Sequence, residues 1–220
     1  MNLPNKLSCL RVVLIPFVMG FAYLADSSAF SDRKITAVIT IVISLILFWL
    51  AAYTDYLDGN LARKFNHVSN FGKLVDSIAD KVLILATMIM LVDLGYISVW
   101  IPVITLAREF LVTAIRLIAL EQTGTVIAAN FWGKLKTLVQ MVAVTVSFIY
   151  GAYAYWSAEP TDLLYLHHAG AMIDRYFVSD YSSLLQFYYF NNALAWISVI
   201  ITVLSGLTYW YANRKLLKAD

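Results

Sequence analysis

The chain has 220 residues, of which 61% are hydrophobic and only 14% carry a charge. Soluble domains have about 25% charged residues, so this composition, with a mean hydropathy of +0.73, excludes an ordinary soluble domain. The net charge of +2 comes with no basic stripe of the kind that binds nucleic acid. We therefore expect an all-α integral membrane protein.

Apolar runs long enough to cross a bilayer, about 20 residues each, recur along the whole chain. They lie at 7–25, 35–54, 75–96, 97–118, 135–156 and 190–212. We interpret them as six transmembrane helices in a single domain over 1–220, because no long polar linker divides the chain. The first run is interpreted as a retained helix rather than a signal peptide, because Arg11 interrupts it and no cleavage site follows. Cys9 is the single cysteine, which excludes an internal disulfide.

Basic residues are distributed unequally between the ends of these segments. With the N-terminus inside, 13 of the 16 lysines and arginines fall on the inner side, and only Arg33, Lys34 and Arg175 fall outside. This positive-inside bias predicts a protein of the cytoplasmic (inner) membrane with both termini in the cytoplasm. The one substantial outer loop is predicted at about 157–189, where tyrosine and phenylalanine are dense.

Four aspartates stand between the second and third segments, as one pair three residues apart and another pair four apart: Asp55 with Asp58, and Asp76 with Asp80. Residues at these spacings share one face of a helix. An unpaired carboxylate at membrane depth costs roughly 2.5–3.5 kcal/mol, so positive charge is expected among them. Hard oxygen ligands suit hard cations, which predicts two Mg²⁺ or Mn²⁺ ions bound by all four aspartates.

The neighbours of the aspartates suit chemistry at phosphorus, for which two carboxylate-bound metals are the usual catalyst. Gly59 lets a phosphate approach the backbone, and Arg63 offers a forked donor to phosphate oxygens. Ala62 leaves space, and Gly72 permits close helix contact. The alternative is that the aspartates only pair with nearby lysines and arginines. That alternative explains one aspartate better than four in register with two glycines and an arginine.

The order D-x-x-D-G-x-x-A-R, eight residues, then G-x-x-x-D-x-x-x-D resembles the signature of the CDP-alcohol phosphotransferases. The resemblance implies that family's fold and an integral membrane enzyme that moves a phosphatidyl or related group from a CDP-linked donor to an alcohol. It implies that Asp55, Asp58 and Asp76 are metal ligands, and that Asp80 lies near the metals and acts as the base. It also implies a homodimer. Ser77 departs from the pattern, because these enzymes often have proline there.

Three further stretches extend the resemblance over most of residues 1–156. They are "NLPNKLSCLRVVLIP" at 2–16, "REFLVTAIR" at 108–116 and "GKLKTLVQM" at 133–141. They resemble the family members that transfer the phosphatidyl group of CDP-diacylglycerol to glycerol 3-phosphate, with release of CMP. The 157–189 loop is longer than that resemblance leads us to expect.

Basic residues in the fourth and fifth segments predict a site for the acceptor's phosphate. Arg108 and Arg116 are eight residues apart and share one side of a helix, two turns apart, while Lys134 and Lys136 begin the next segment. Glu109 is expected to pair with one of the arginines. The alternative role for these cations is to anchor helix ends on the inner side.

Two other functions remain open from the sequence. A sister enzyme with another acceptor, inositol phosphate or serine, has the same signature, although the basic cluster favours a phosphorylated acceptor over serine. A divalent-cation transporter accounts for the four aspartates but not for Arg63 or for the basic residues beyond them.

Overall fold

The computed structural model describes residues 3–30, 33–65, 70–123, 131–157 and 182–214. Six helices account for nearly all of these residues, which confirms the all-α prediction for the described part of the chain. They are α1 (Leu3–Phe30), α2 (Lys34–Phe65), α3 (Asn70–Asp93), α4 (Trp100–Thr123), α5 (Phe131–Ser157) and α6 (Ser182–Asn213).

Most helices continue beyond the apolar runs that predicted them. The largest extension is in α2, which runs through the aspartate-rich stretch as far as Phe65. Backbone hydrogen bonds within a helix are satisfied whether the residues face lipid or water, so an apolar run need not end where its helix ends. The third and fourth segments need a correction where they meet, because α3 ends at Asp93 rather than at 96 and α4 begins at Trp100 rather than at 97. A turn at Gly95, with a φ of 75°, lies between the two helices.

The predicted outer loop at 157–189 needs a correction at its end. Residues 182–189 are the first turns of α6, whereas 158–181 lie outside the described residues. These turns are helical because their side chains pack on α5: Leu184 is buried, and the rings of Phe187 and Tyr188 lie 5.6 and 5.9 Å from that of Tyr150. Some aromatic side chains of the predicted loop therefore pack inside the protein.

Within the described ranges, four helices contain stretches long and apolar enough to cross a membrane, namely Cys9–Ser27, Lys34–Thr54, Phe131–Ser157 and Ser183–Asn213. The helix α4 combines apolar residues with Arg108, Glu109 and Arg116, so its average hydropathy is lower. The chain is a membrane protein with four clear candidate spans, and the prediction of six spans remains a prediction.

Small residues bring α1 and α2 close together along most of their length. Ala22, Ala25 and Ala37 have no exposed surface, and side chains of this size let helix backbones approach closely within a bilayer. Ser44 of α2 donates a hydrogen bond of 2.6 Å to the carbonyl oxygen of Val18 on α1. The pair forms one side of the bundle, while α5 packs on α2 and α6, and α4 packs on α6.

A polar cluster joins three elements at the end of the bundle where α3 ends and α4 begins. Asn191 on α6 accepts a hydrogen bond from Ser147 on α5 (2.9 Å) and donates one to the carbonyl oxygen of Tyr96 (2.9 Å) in the α3–α4 connection. The ring of Tyr96 packs edge-on against that of Tyr150. The buried Asn191 amide thus has a partner for its oxygen and another for its nitrogen, which a buried polar group needs if it is to stabilise a fold.

We expect Gly151→Ala to lower the free energy of unfolding by about 1–3 kcal/mol. A Cβ at Gly151 would lie 2.5 Å from the Tyr96 ring, and that buried ring also contacts Tyr150 and Tyr155, so it has little room to move. Gly20→Ala is the matched control, because no atom lies within 4 Å of its Cβ. Thermal unfolding in detergent compares the two variants, and equal midpoints would contradict the packing described here.

Candidate active site

The aspartates lie at one end of the bundle, in the last turns of α2 and the first turns of α3. Asp55 and Asp58 fall within Lys34–Phe65, and Asp76 and Asp80 fall within Asn70–Asp93. The backbone is helical at all four positions, and the two helices contact each other. Their side chains lie outside the described part of the structure, so the binding of two metal ions by the four aspartates stays a prediction.

The other residues predicted to serve the CDP-linked substrate lie in the same turns. Gly59, Ala62 and Arg63 lie in α2, and Gly72 lies in α3; their surroundings also lie outside what the structure describes. Among the side chains that the structure describes, no three His, Cys, Asp or Glu residues group together.

Two adjoining cavities open at the same end of the bundle. The first, which we call the central cavity, has a volume of about 330 Å³. Its lining includes residues from five helices, among them Arg11, Ala52, Lys81, Thr105, Glu109 and Gln140. Ala52 precedes Asp55 by three residues and Lys81 directly follows Asp80, so the central cavity lies next to the aspartate-bearing turns.

The second, the lateral cavity, has a volume of about 450 Å³ and lies between α3, α4, α5 and α6. All four residues predicted to bind the acceptor's phosphate line it: Arg108, Arg116, Lys134 and Lys136. Lys81, Glu109, Arg116, Lys136 and Thr137 line both cavities. The basic cluster expected from the sequence is therefore brought together in three dimensions, whereas its binding of phosphate stays a prediction.

Glu109 lies at the centre of this basic cluster. Its Oε1 atom accepts a hydrogen bond from Arg108 Nη1 at 3.0 Å and another from Lys136 Nζ. The three side chains are only 11–14% exposed, so each charge needs a partner to offset its desolvation. The sequence predicted one partner for Glu109, and the structure shows two, one on its own helix and one on α5.

Arg108 crosses the space between α4 and α6. Its Nη2 atom donates to Ser205 Oγ at 2.6 Å, and its Cγ would lie 3.0 Å from a Cβ at Gly206. A glycine at this position on α6 therefore lets the arginine stem pass between the helices. The Nε atom of Arg108 has no hydrogen-bond partner among the described residues.

Arg116 and Lys134 are exposed and form no ion pair with any side chain that the structure describes. The Arg116 guanidinium lies 6.0 Å from the centroid of the Tyr209 ring, which is at the outer limit of a cation–π contact. These two cations are therefore the ones available to an anion that enters the lateral cavity.

Lys81 links the aspartate-bearing helix to α4. Its Nζ donates to Thr113 Oγ1 at 2.9 Å, and the same hydroxyl donates to the Glu109 carbonyl oxygen at 2.7 Å. Because Lys81 directly follows Asp80 in α3, the backbone at Asp80 lies near the turn of α4 that carries Glu109.

Sequence reasoning missed Lys81, Gln140, Ser205 and Tyr209, which also line the cavities. Helical spacing was the available signal: Lys136 and Gln140 are four residues apart, as are Ser205 and Tyr209, and such pairs share a face. Gln140 also donates to Thr202 Oγ1 at 3.1 Å and so joins α5 to α6. A polar residue four positions from a predicted site residue in an apolar helix is therefore a candidate for the same cavity.

Comparison with known proteins identifies the family of the chain. Residues 1–204 match the sequence profile of the CDP-alcohol phosphatidyltransferase family. The chain belongs to this family. The match extends from α1 into the last turns of α6. It contains both aspartate pairs and those residues of the lateral cavity that belong to α3, α4 and α5. The family match confirms the resemblance seen in the sequence.

Relatives within the CDP-alcohol phosphatidyltransferase family match the chain along its length. A protein of Bacillus subtilis is 36% identical over 220 residues, which is all of this chain and 98% of the relative. One of Rickettsia felis is 31% identical over 215 residues, covering 97% of this chain and 96% of the relative. Both are named CDP-diacylglycerol–glycerol-3-phosphate 3-phosphatidyltransferase.

We expect Lys136→Met to lower the free energy of unfolding of this CDP-alcohol phosphatidyltransferase by about 1–3 kcal/mol. The substitution leaves the poorly exposed Glu109 carboxylate with one of its two cationic donors, and a hydrogen bond to a charged group contributes roughly that much. Lys134→Met is the control on the same helix; since Lys134 is exposed, its effect should stay within about 0.5 kcal/mol. Thermal unfolding midpoints in detergent test the difference, and equal values would rule out a stabilising role for the Lys136 contact.

Proposed function

We propose that the chain transfers the phosphatidyl group of CDP-diacylglycerol to glycerol 3-phosphate, giving phosphatidylglycerol phosphate and CMP. The observation that carries the proposal is the basic lateral cavity, which shares Lys81 and Glu109 with the central cavity next to the aspartate-bearing turns. A dianionic acceptor needs such a cluster of cations. The names of the full-length relatives support the same pair of substrates.

The proposed metal ligands are Asp55, Asp58, Asp76 and Asp80. The family generally depends on divalent metal ions, and four carboxylates form a donor set that suits two Mg²⁺ or Mn²⁺ ions. When bound, such ions offset negative charge on the diphosphate and on departing CMP. Helical spacing of three and four residues on two contacting helices supports a shared site.

The residues that follow the first aspartate pair bind the donor in this proposal. Arg63 donates hydrogen bonds to the diphosphate oxygens, while Gly59 and Ala62 leave the backbone open to them. Gly72 keeps α3 close to its neighbours. The acyl chains of CDP-diacylglycerol stay in the cytoplasmic leaflet.

The chemical step is a direct displacement at phosphorus. The 1-hydroxyl oxygen of glycerol 3-phosphate forms a bond to the phosphatidyl phosphorus, and the bond from that phosphorus to the CMP oxygen breaks. Asp80 accepts the proton of the hydroxyl. No covalent enzyme intermediate is needed, because the acceptor itself is the nucleophile.

The acceptor's phosphate binds in the lateral cavity. Arg116 and Lys134 contact it first in this proposal, because neither forms an ion pair among the described residues. Arg108 and Lys136 add positive potential behind them while they remain paired with Glu109. This division separates cations that bind from cations that shape the site.

The setting of the reaction follows from the topology. We propose six spans in the cytoplasmic membrane, with both termini and the active site on the cytoplasmic side, as the positive-inside bias indicates. We also propose a homodimer, as the family resemblance implies. Residues 1–220 form one catalytic domain.

Release of CMP from CDP-diacylglycerol by the purified protein tests the proposed function. We expect release only when glycerol 3-phosphate and Mg²⁺ or Mn²⁺ are both present, and loss of release with a chelator or in the Asp80→Asn variant. Equal release with inositol phosphate or serine in place of glycerol 3-phosphate would assign the protein to a sister reaction. Absence of CMP release with every acceptor, together with Mg²⁺ uptake into vesicles, would favour a transporter.

We expect Arg116→Ala to raise KM for glycerol 3-phosphate about 10- to 100-fold, since a hydrogen bond to a charged group contributes about 1.5–3 kcal/mol. The KM for CDP-diacylglycerol should stay nearly constant, because in this proposal residues of α2 and α3 bind the donor. Glu121→Gln, an exposed change on the same helix, is the control. Steady-state kinetics with each substrate varied in turn measures the split, and an equal rise in both KM values would contradict the acceptor site.

A further inference from the structure

The two oxygens of the Glu109 carboxylate have different surroundings. Oε1 accepts hydrogen bonds from both Arg108 Nη1 and Lys136 Nζ. Oε2 forms no hydrogen bond with any residue that the structure describes, although Glu109 lines both cavities. Oε1 therefore binds the two cations, and Oε2 remains able to accept hydrogen bonds.

An ionised carboxylate has about four positions at which it can accept a hydrogen bond. The Glu109 side chain is only 14% exposed, so water has limited access to the spare positions. The spare positions on Oε2 suit a hydroxyl donor, because a hydrogen bond to a charged acceptor is stronger than one to a neutral acceptor. A ligand that brings a hydroxyl group into the cavity would supply that donor.

Glu109 is also chemically distinct within the lateral cavity. Among the described residues that line it, Glu109 is the only carboxylate, while the charged residues around it are Lys81, Arg108, Arg116, Lys134 and Lys136. Those cations attract a phosphate, but none can accept a hydrogen bond from an alcohol. The charged acceptor for an alcohol group in this cavity is Glu109.

We propose that Glu109 Oε2 accepts a hydrogen bond from the 2-hydroxyl group of the acceptor and so determines its specificity. This inference rests on the proposed function and adds a determinant that the phosphate-binding cations do not provide. Because Oε1 is bonded to cations from two helices, the carboxylate has little freedom to rotate. A preorganised acceptor discriminates more strongly than a mobile one.

The position of Glu109 suits the middle carbon of a three-carbon phosphate. It lies seven residues before Arg116 on α4, about 10.5 Å along the helix axis, a span that a long arginine side chain and glycerol phosphate cover together. On the other side, Lys81 bonds to Thr113 one turn from Glu109, which brings the backbone at Asp80 near the same place. The phosphate would bind toward Arg116, and the 1-hydroxyl would point toward α3.

The alternative is that Glu109 only holds Arg108 and Lys136 in place. It would then affect every phosphorylated acceptor to the same extent. An acceptor that lacks the 2-hydroxyl, 3-hydroxypropyl phosphate, separates the two roles because it keeps the phosphate and the attacking hydroxyl.

The experiment measures kcat/KM for glycerol 3-phosphate and for 3-hydroxypropyl phosphate in the wild type, Glu109→Ala and Glu109→Gln. We expect the wild type to prefer glycerol 3-phosphate about 10- to 100-fold, the contribution of a hydrogen bond to a charged group. Glu109→Ala should reduce the preference to about threefold or less, and Glu109→Gln, which keeps a neutral acceptor, should fall between. Glu121→Gln on the same helix should keep the full preference.

Two results overturn the inference, and a third overturns the proposed function with it. A wild type that accepts both compounds equally excludes recognition of the 2-hydroxyl, and this measurement needs no variant to fold. A Glu109→Ala or Glu109→Gln enzyme that is slower but keeps the whole preference shows that Glu109 only positions the cations. If the wild type releases no CMP with either compound, the proposed function itself fails.

Discussion

The Glu109 carboxylate, shared between Arg108 on its own helix and Lys136 on α5, is the contact on which the basic cavity depends. Five cations line the lateral cavity, and like charges brought together in a low-dielectric bundle repel one another strongly. The single negative charge of Glu109 is shared between two of these cations and joins α4 to α5. The other cations also line the cavity, and in the proposed function the phosphate of the acceptor supplies further negative charge there.

Other polar contacts repeat this design at different depths of the bundle. Gln140 bonds to Thr202 between α5 and α6, and Asn191 connects α5, α6 and the Tyr96 carbonyl oxygen at the end of the bundle where α3 meets α4. Lipid tails are as apolar as leucine, so apolar contact alone gives helices in a bilayer little reason to associate. Small residues and hydrogen bonds between helices therefore determine which helices are neighbours, and the position of the cavities follows from that choice.

The sequence predicted what depends on local pattern, and it missed what depends on tertiary contact. Apolar runs predicted six helices, and spacing placed Arg108 and Arg116 on one face of α4, as the structure shows. The helical turns at 182–189 were missed because Leu184 and Phe187 are held by α5, which no local pattern reveals. Likewise, Glu109 was expected to pair with an arginine nearby, whereas its bond to Lys136, 27 residues away, depends on how α4 packs against α5.

The arrangement also suggests why the two proposed substrate sites lie on different helix pairs. The donor site belongs to α2 and α3, and the acceptor cavity belongs chiefly to α4, α5 and α6. Lys81 crosses from the first group to the second through Thr113. The hydrogen bond of Lys81, which directly follows the proposed base, thus connects the two groups of helices. In the proposed reaction the attacking oxygen must lie about 3–3.5 Å from the donor phosphorus, and a displacement of about 1 Å can slow such a step about 100-fold, so a direct polar link between α3 and α4 suits the alignment of the two sites.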